Sequence, residues 1–222
     1  MSLNLYTYVH NNPLRYTDPS GHIPIGPSDI WRILFQKETV DFINSSTKKA
    51  ETKAWKAFAS GIDKAGIHST AFFIKHSLND NPSDVYLNQW SYEASLINNT
   101  KKYQDLLESI VKEANNKKIN TIDEKKGISF ESNDNKDLFV GIHSATLKIK
   151  GEINENGRWS IQVKLEDYFD FENHPEKVKD FSFSSAAWAA NNVAAYSNSS
   201  GVINSYWIYI DMGTYDSRSW KK

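Results

Sequence analysis

The chain has 222 residues, of which 39% are apolar, 13% aromatic and 24% charged, with a formal net charge of −1. That balance suits one packed domain with a small appendage. It supplies no basic arm of the kind that neutralises phosphates in nonspecific nucleic-acid binding. Cysteine is absent, which excludes disulfides, thiolate catalysis and Cys-zinc sites, and no apolar run is long enough to predict a signal peptide or a transmembrane helix.

In chain order, the first predicted element is a short strand–turn segment. Asn4-Leu5-Tyr6-Thr7-Tyr8-Val9 alternates as a strand, and Asn11-Asn12-Pro13 and Asp18-Pro19-Ser20-Gly21 are turn signals. The run from Asn4 to Gly21 resembles the terminal motif of the Rhs-associated core, which closes the YD-repeat shell of polymorphic toxins. The resemblance implies a core remnant over 1–22, a toxin domain over 23–222 released from its shell by cleavage, and a cognate immunity protein as partner. It implies no chemistry.

From Ser28 to Asn116 the periodicity is helical. Ser28 or Asp29 caps a first helix carrying Ile30, Ile33, Leu34 and Val40. A second helix, Thr52 to Ala65, carries Trp55, Phe58, Ala59 and Ile62, and a third, His68 to Leu78, is expected to turn Phe72 and Ile74 inward. Tyr86 to Asn98 reads as one helix capped by Ser83 or Asp84. Lys101 to Ala114 forms a stripe of Tyr103, Leu106, Leu107, Ile110 and Val111. His68 and His76 stand eight apart, too far for the i,i+4 spacing of a helical metal site, and read as structural or surface residues. Asp80 and Asp84 read as turn and cap residues.

After a polar stretch, Asn115 to Lys126, the pattern becomes β. Phe139 to His143 is taken as a strand whose imidazole either faces Asp167 or points to solvent. Ala145 to Ile153 and Trp159 to Leu165 alternate cleanly around Glu155-Asn156-Gly157. A two-residue loop would set Ile153 opposite Ser160. A three-residue loop with Gly157 in the left-handed conformation pairs Ile153 with Trp159, Ile149 with Val163 and Leu147 with Leu165, and the hydrophobic pattern selects it. Continued, the same parity puts Asp167 on the core side, followed by Asp170, Glu172 and His174. A bare carboxylate there would cost several kcal/mol, so it must be partnered, protonated or at an open rim. The alternative is that the strand ends at Glu166. Ser184 to Tyr196 predicts a helix rich in small residues, without the nucleophile-elbow context of a serine hydrolase, and Ser205 to Asp211 predicts a last strand.

The stretch from Leu138 to Met212 resembles the catalytic domain of colicin M-type bacteriocins, through Leu147 to Ile153, Asn156-Gly157-Arg158-Trp159-Ser160 and Asp167-Tyr168-Phe169-Asp170-Phe171. That family cleaves the lipid-linked peptidoglycan precursor lipid II between its undecaprenyl carrier and the pyrophosphate, with magnesium. The resemblance implies that Asp167 and Asp170 are the motif aspartates, as metal ligands and activators of the attacking water. Phe169 stands where the family has Tyr, for which Tyr168 would substitute if the strand is bulged. Glu176 and Lys177 stand where the family has His-Arg, so His174 would serve only after a local shift, with Lys177 or Lys179 in place of Arg.

The reading is an α+β fold: an N-terminal helical part (about 28–116) packed against a C-terminal antiparallel sheet (about 127–215) with one Ala-rich helix. Its expected function is that of a secreted antibacterial toxin. It would hydrolyse a lipid-linked pyrophosphate at the outer face of a target cell's cytoplasmic membrane, using Asp167, Asp170, Tyr168, His174 and Lys177 with Mg2+. Two alternatives are a nuclease acting on RNA or DNA through His143 or His174 with an acidic partner, and a nonenzymatic membrane-perturbing module.

Overall fold

The computed structural model describes residues 47–180 and 182–216. The motif at 4–21 and the helix expected after Ser28 lie outside the described residues. The fold is α+β, with six helices and a five-stranded mixed sheet among the described residues.

Helix α1 (Lys48–Lys64) buries Trp55, Ala59 and Ile62 along one stripe, the spacing of a helix with a single apolar face. Helix α2 (His68–Ser77) packs against it. Phe72 does not turn inward with Ile74, because residues two apart lie roughly 200° apart on a helix. Phe72 is exposed and stacks on His76 at 6.3 Å, while Phe73 is fully buried in its stead.

The segment read as one helix from Tyr86 is two elements. Strand β1 (Val85–Leu87) pairs in parallel with the last strand, and helix α3 (Tyr92–Asn98) starts only after Ser91, whose hydroxyl accepts the Ala94 N–H at 3.1 Å. Helix α4 (Lys101–Asn116) buries Tyr103, Leu107, Ile110 and Val111, as its stripe predicts.

The polar stretch conceals strand β2 (Thr121–Ser129), in which only Ile122 and Ile128 are buried. It is an edge strand paired with β3 (Ser144–Ile153), and its charged run from Asp123 to Lys126 blunts that edge. Between β2 and β3, helix α5 (Lys136–Gly141) replaces the strand expected at Phe139–His143. Asn135 caps α5, and Asp137 reaches across to α2, where it accepts the N–H groups of Ser69 at 2.8 Å and Thr70 at 2.9 Å. One carboxylate thus satisfies donors at a helix N-terminus that no local side chain caps. Gly141 lets the two helices approach: a Cβ there would lie 2.9 Å from Thr70 Oγ1.

Strand β4 (Trp159–Phe169) pairs with β3 in the expected register, Ile153 with Trp159, Ile149 with Val163 and Leu147 with Leu165. The turn closes through the Gly157 N–H on the Asn154 carbonyl at 2.9 Å, with Gly157 at φ 69. A 3-10 turn (Pro175–Lys177) and helix α6 (Phe183–Ser199), capped by Ser182, lead to strand β5 (Tyr206–Asp216). The strand order is β1-β5-β4-β3-β2, antiparallel except at β1. One bulge, opposite Val163/Lys164, switches the parity of β5 after Met212, so that Ile208 and Ile210 before it and Tyr215 beyond it all turn toward the core.

Helices cover one face of the sheet. Leu147, Ile149, Ile161, Val163 and Leu165 meet Phe73, Ile97, Leu107 and Leu138 in one core with near-zero exposure. Each such side chain contributes roughly 1.5–3 kcal/mol relative to exposure. The other face carries Lys148 and Glu166 as an ion pair and an aromatic row, Tyr86 stacked on Tyr209 at 4.9 Å and Trp207 beside Tyr168 at 5.0 Å.

Candidate active site

Strand β4 does not stop at Glu166. Asp167 pairs with Ile208 and Phe169 with Tyr206, in a ladder free of bulges beyond Lys164. Asp167 therefore keeps the inward parity of Leu165 and Phe169. It lines a cavity of 330 Å³ enclosed by α1, α2, α5, α6 and the end of β4. Phe58, Ile74, Phe139, Phe171 and Ala194 make most of its wall apolar.

Asp167 lines the cavity and is only partly exposed. Burial pushes it up to about 8, the nearby Asp170 carboxyl adds to the rise, and the Tyr168 backbone N–H offsets part of it. Asp170 lies at the exposed rim, where burial and then Glu172 also hold it above the ordinary carboxylate range. The cavity thus pairs a deep acid that keeps its proton at neutral pH with a second acid at its mouth. Burial and Asp167 together also raise the Tyr206 hydroxyl, which donates to the Phe73 carbonyl at 2.8 Å.

His174 is brought to the same cavity without a shift of register. Its backbone N–H donates to Asn192 Oδ1 at 2.6 Å. Its ring nitrogens lie 3.1 Å from Glu172 and 3.1 Å from Glu176. Lys177 places its ammonium 5.9 Å from the centre of the Trp188 ring. Tyr168 is placed otherwise. With no bulge at this point its ring turns to the outer face against Trp207, and its exposure is 44%. It contributes to the cavity's rim but cannot present its hydroxyl beside Asp167, as a bulged strand would have allowed.

Two further residues belong to this site. His143, the last residue before β3, is neither in a strand nor turned to open solvent. It is half-buried in the cavity wall, with φ 47. Its ring sits edge-on to Phe139 at 5.3 Å and to Trp188 at 5.2 Å. Trp188 in turn meets the His174 ring at 5.2 Å, so one indole holds both imidazoles. The only trace of Trp188 in the sequence is a single large aromatic residue inside a run of Ser and Ala. His68 and His76 stand away from the cavity, on Asp63 at 2.7 Å and on the Ser83 carbonyl at 2.7 Å. Asp84 accepts the Trp207 N–H at 3.1 Å and ties β1 to the start of β5.

Among the described residues no group of three or more His, Asp or Glu is arranged to hold a metal ion. Two carboxyls in one cavity nevertheless fit Mg2+, which is commonly held by one or two carboxylates with water and substrate phosphate oxygens completing its shell, provided that the ion displaces the Asp167 proton as it binds. Asp167 and Asp170 are the residues that would hold it.

No protein-family model, curated protein or solved structure matches this chain.

Proposed function

We propose that this chain is a toxin effector that hydrolyses a lipid-linked pyrophosphate, as its resemblance to colicin M-type bacteriocins implies. The observation that carries this reading is the inward carboxyl of Asp167, opening on an apolar cavity beside the exposed Asp170. A substrate with a charged phosphate and a hydrocarbon carrier has the polarity of this cavity: Asp167, Asp170, Glu172 and His174 at one side, aromatic and aliphatic walls elsewhere, and Lys177 outside the lining but beside Trp188. Mg2+, when bound, would neutralise phosphate charge and lower the pKa of a bound water.

The chain's own residues do the rest. Phe58, Ile74 and Phe171 exclude water from around the reacting phosphate, which strengthens every charge interaction there. Lys177, held over Trp188, supplies a point charge in place of an arginine fork, so phosphate oxygens are attracted without bidentate alignment. His174, tethered through Asn192 and flanked by Glu172 and Glu176, fixes the rim. Among the described residues no helix is long and apolar enough to cross a membrane, so a membrane-borne substrate would be met from the surface. The test is incubation of the protein with lipid II and magnesium. Release of undecaprenol by the wild type, and its loss in Asp167→Asn, is the expected result; intact lipid II after prolonged incubation sinks the reading.

One observation favours a second reading. His143 and His174 share Trp188, and paired imidazoles beside an aromatic ring suit general acid–base cleavage of RNA, with the base stacked on the ring. Degradation of RNA or plasmid by the same preparation, lost in His174→Ala, would favour it.

A further inference from the structure

We propose that His143 is a catalytic residue of this cavity, the base that takes the proton of the attacking water. The inference rests on the hydrolase reading and adds a residue that neither the sequence motif nor the acidic pair contains.

Three features set His143 apart from a packing histidine. First, its backbone is in the left-handed region, φ 47, which is costly for a residue with a Cβ and is often found where a side chain must be aimed. The conformation is held from both sides: its N–H donates to the Leu138 carbonyl at 2.8 Å, and its carbonyl accepts the Phe130 N–H at 2.6 Å. Second, its Nδ1 is buried yet has no hydrogen-bond partner of acceptable geometry among the described residues. Buried polar atoms are nearly always satisfied, and an aliphatic side chain would fill the same space without that penalty. Third, the ring is oriented by Phe139 and Trp188, two aromatic edges that hold it without occupying its nitrogens. Nδ1 is closed off from solvent on the Phe130 side, so the nitrogen that would meet a ligand in the cavity is Nε2, on a ring fixed by packing before that ligand arrives.

The surrounding charges agree. Burial holds the imidazole below its ordinary value. Glu131 and the Phe130 backbone act upward, and Lys177 and His174 act downward. Asp167 faces the same cavity from β4, and α6 contributes the uncharged Trp188. At neutral pH the ring is therefore the neutral base that proton abstraction needs. In the step, an O–H bond of water breaks and its proton goes to the imidazole. The water oxygen forms the new bond to phosphorus, and the bond to the carrier oxygen breaks. That oxygen takes a proton from solvent, and the imidazolium returns its own to solvent, so one water is consumed.

The experiment compares wild type, Asp167→Asn and His143→Gly on lipid II with magnesium, and follows the His143 ring by 15N NMR as inorganic pyrophosphate is added. Glycine adopts φ 47 without strain, so the variant is expected to fold. The expected result is a fall in kcat of about 100-fold with KM little changed, loss of the acid limb of the pH profile, and partial rescue by added imidazole. A rate within threefold of wild type, or loss through KM alone with no rescue, overturns the assignment while leaving the hydrolase reading intact. If wild type does not hydrolyse lipid II, that reading fails. Ring signals that pyrophosphate moves then keep His143 as the base for another phosphate ester, and signals that it leaves unmoved overturn this proposal as well.

Discussion

Asp137 accepts the backbone N–H of Thr70 at 2.9 Å, so that a carboxylate on α5 caps a helix formed 67 residues earlier in the chain. The contact fixes the wall of the cavity, because α5 ends two residues before His143 and Thr70 lines the same space. Without the carboxylate, the buried N–H groups of Ser69 and Thr70 lose their acceptor. Asp137→Ala is expected to cost about 2–4 kcal/mol, the combined effect of losing charge-assisted hydrogen bonds and leaving buried donors unpaired. Urea unfolding checks this: the midpoint should fall with the m-value unchanged.

The stability of the protein should depend on pH through Asp167. Its folded value is about 8, whereas an unfolded aspartate titrates near 3.9. Between those values the folded state holds a proton that the unfolded state has released. The group's contribution is therefore undiminished below about pH 4 and declines as pH rises, by about 1.4 kcal/mol per unit, until it levels off near pH 8. Asp167→Asn removes the titration. The variant should match wild type near pH 4 and exceed it by about 5–6 kcal/mol at pH 8.5, the same slope taken across that window. Parallel lines for the two proteins across that window would contradict the buried carboxyl.

Close approach of α2 and α5 leaves no room at Gly141. An alanine there would press its Cβ on Thr70 Oγ1, a short β-branched side chain already committed to Asp137. Gly141→Ala is expected to destabilise the fold by about 1–3 kcal/mol. Thermal unfolding by circular dichroism reads it directly, and an unchanged Tm would mean that the helices part without cost.

Trp188 holds His143, His174 and Lys177 by edge and cation contacts. Each is worth about 0.5–1.5 kcal/mol beyond area burial. Trp188→Leu should therefore lower stability by about 1–3 kcal/mol, while reducing turnover at least tenfold by loosening the imidazoles. A variant that keeps full turnover would show that the indole only fills space.

What could be read from residue order is what depends on neighbours in the chain. The hairpin register follows from alternation around Gly157, and the inward parity of Asp167 follows from that register, because side chains in a strand alternate with period two whatever lies beyond it. The stripes of α1 and α4 follow in the same way from helical periodicity. Other features were decided by partners distant in sequence. Strand β2 is polar because it forms the sheet's edge, Val85–Leu87 is a strand because β5 lies beside it, and α5 is a helix between Asn135 and a left-handed His143. The meeting of Asp167, His143, His174 and Trp188 required the helices to close over one face of the sheet, since alternation and periodicity say which way a side chain points but not what it meets there.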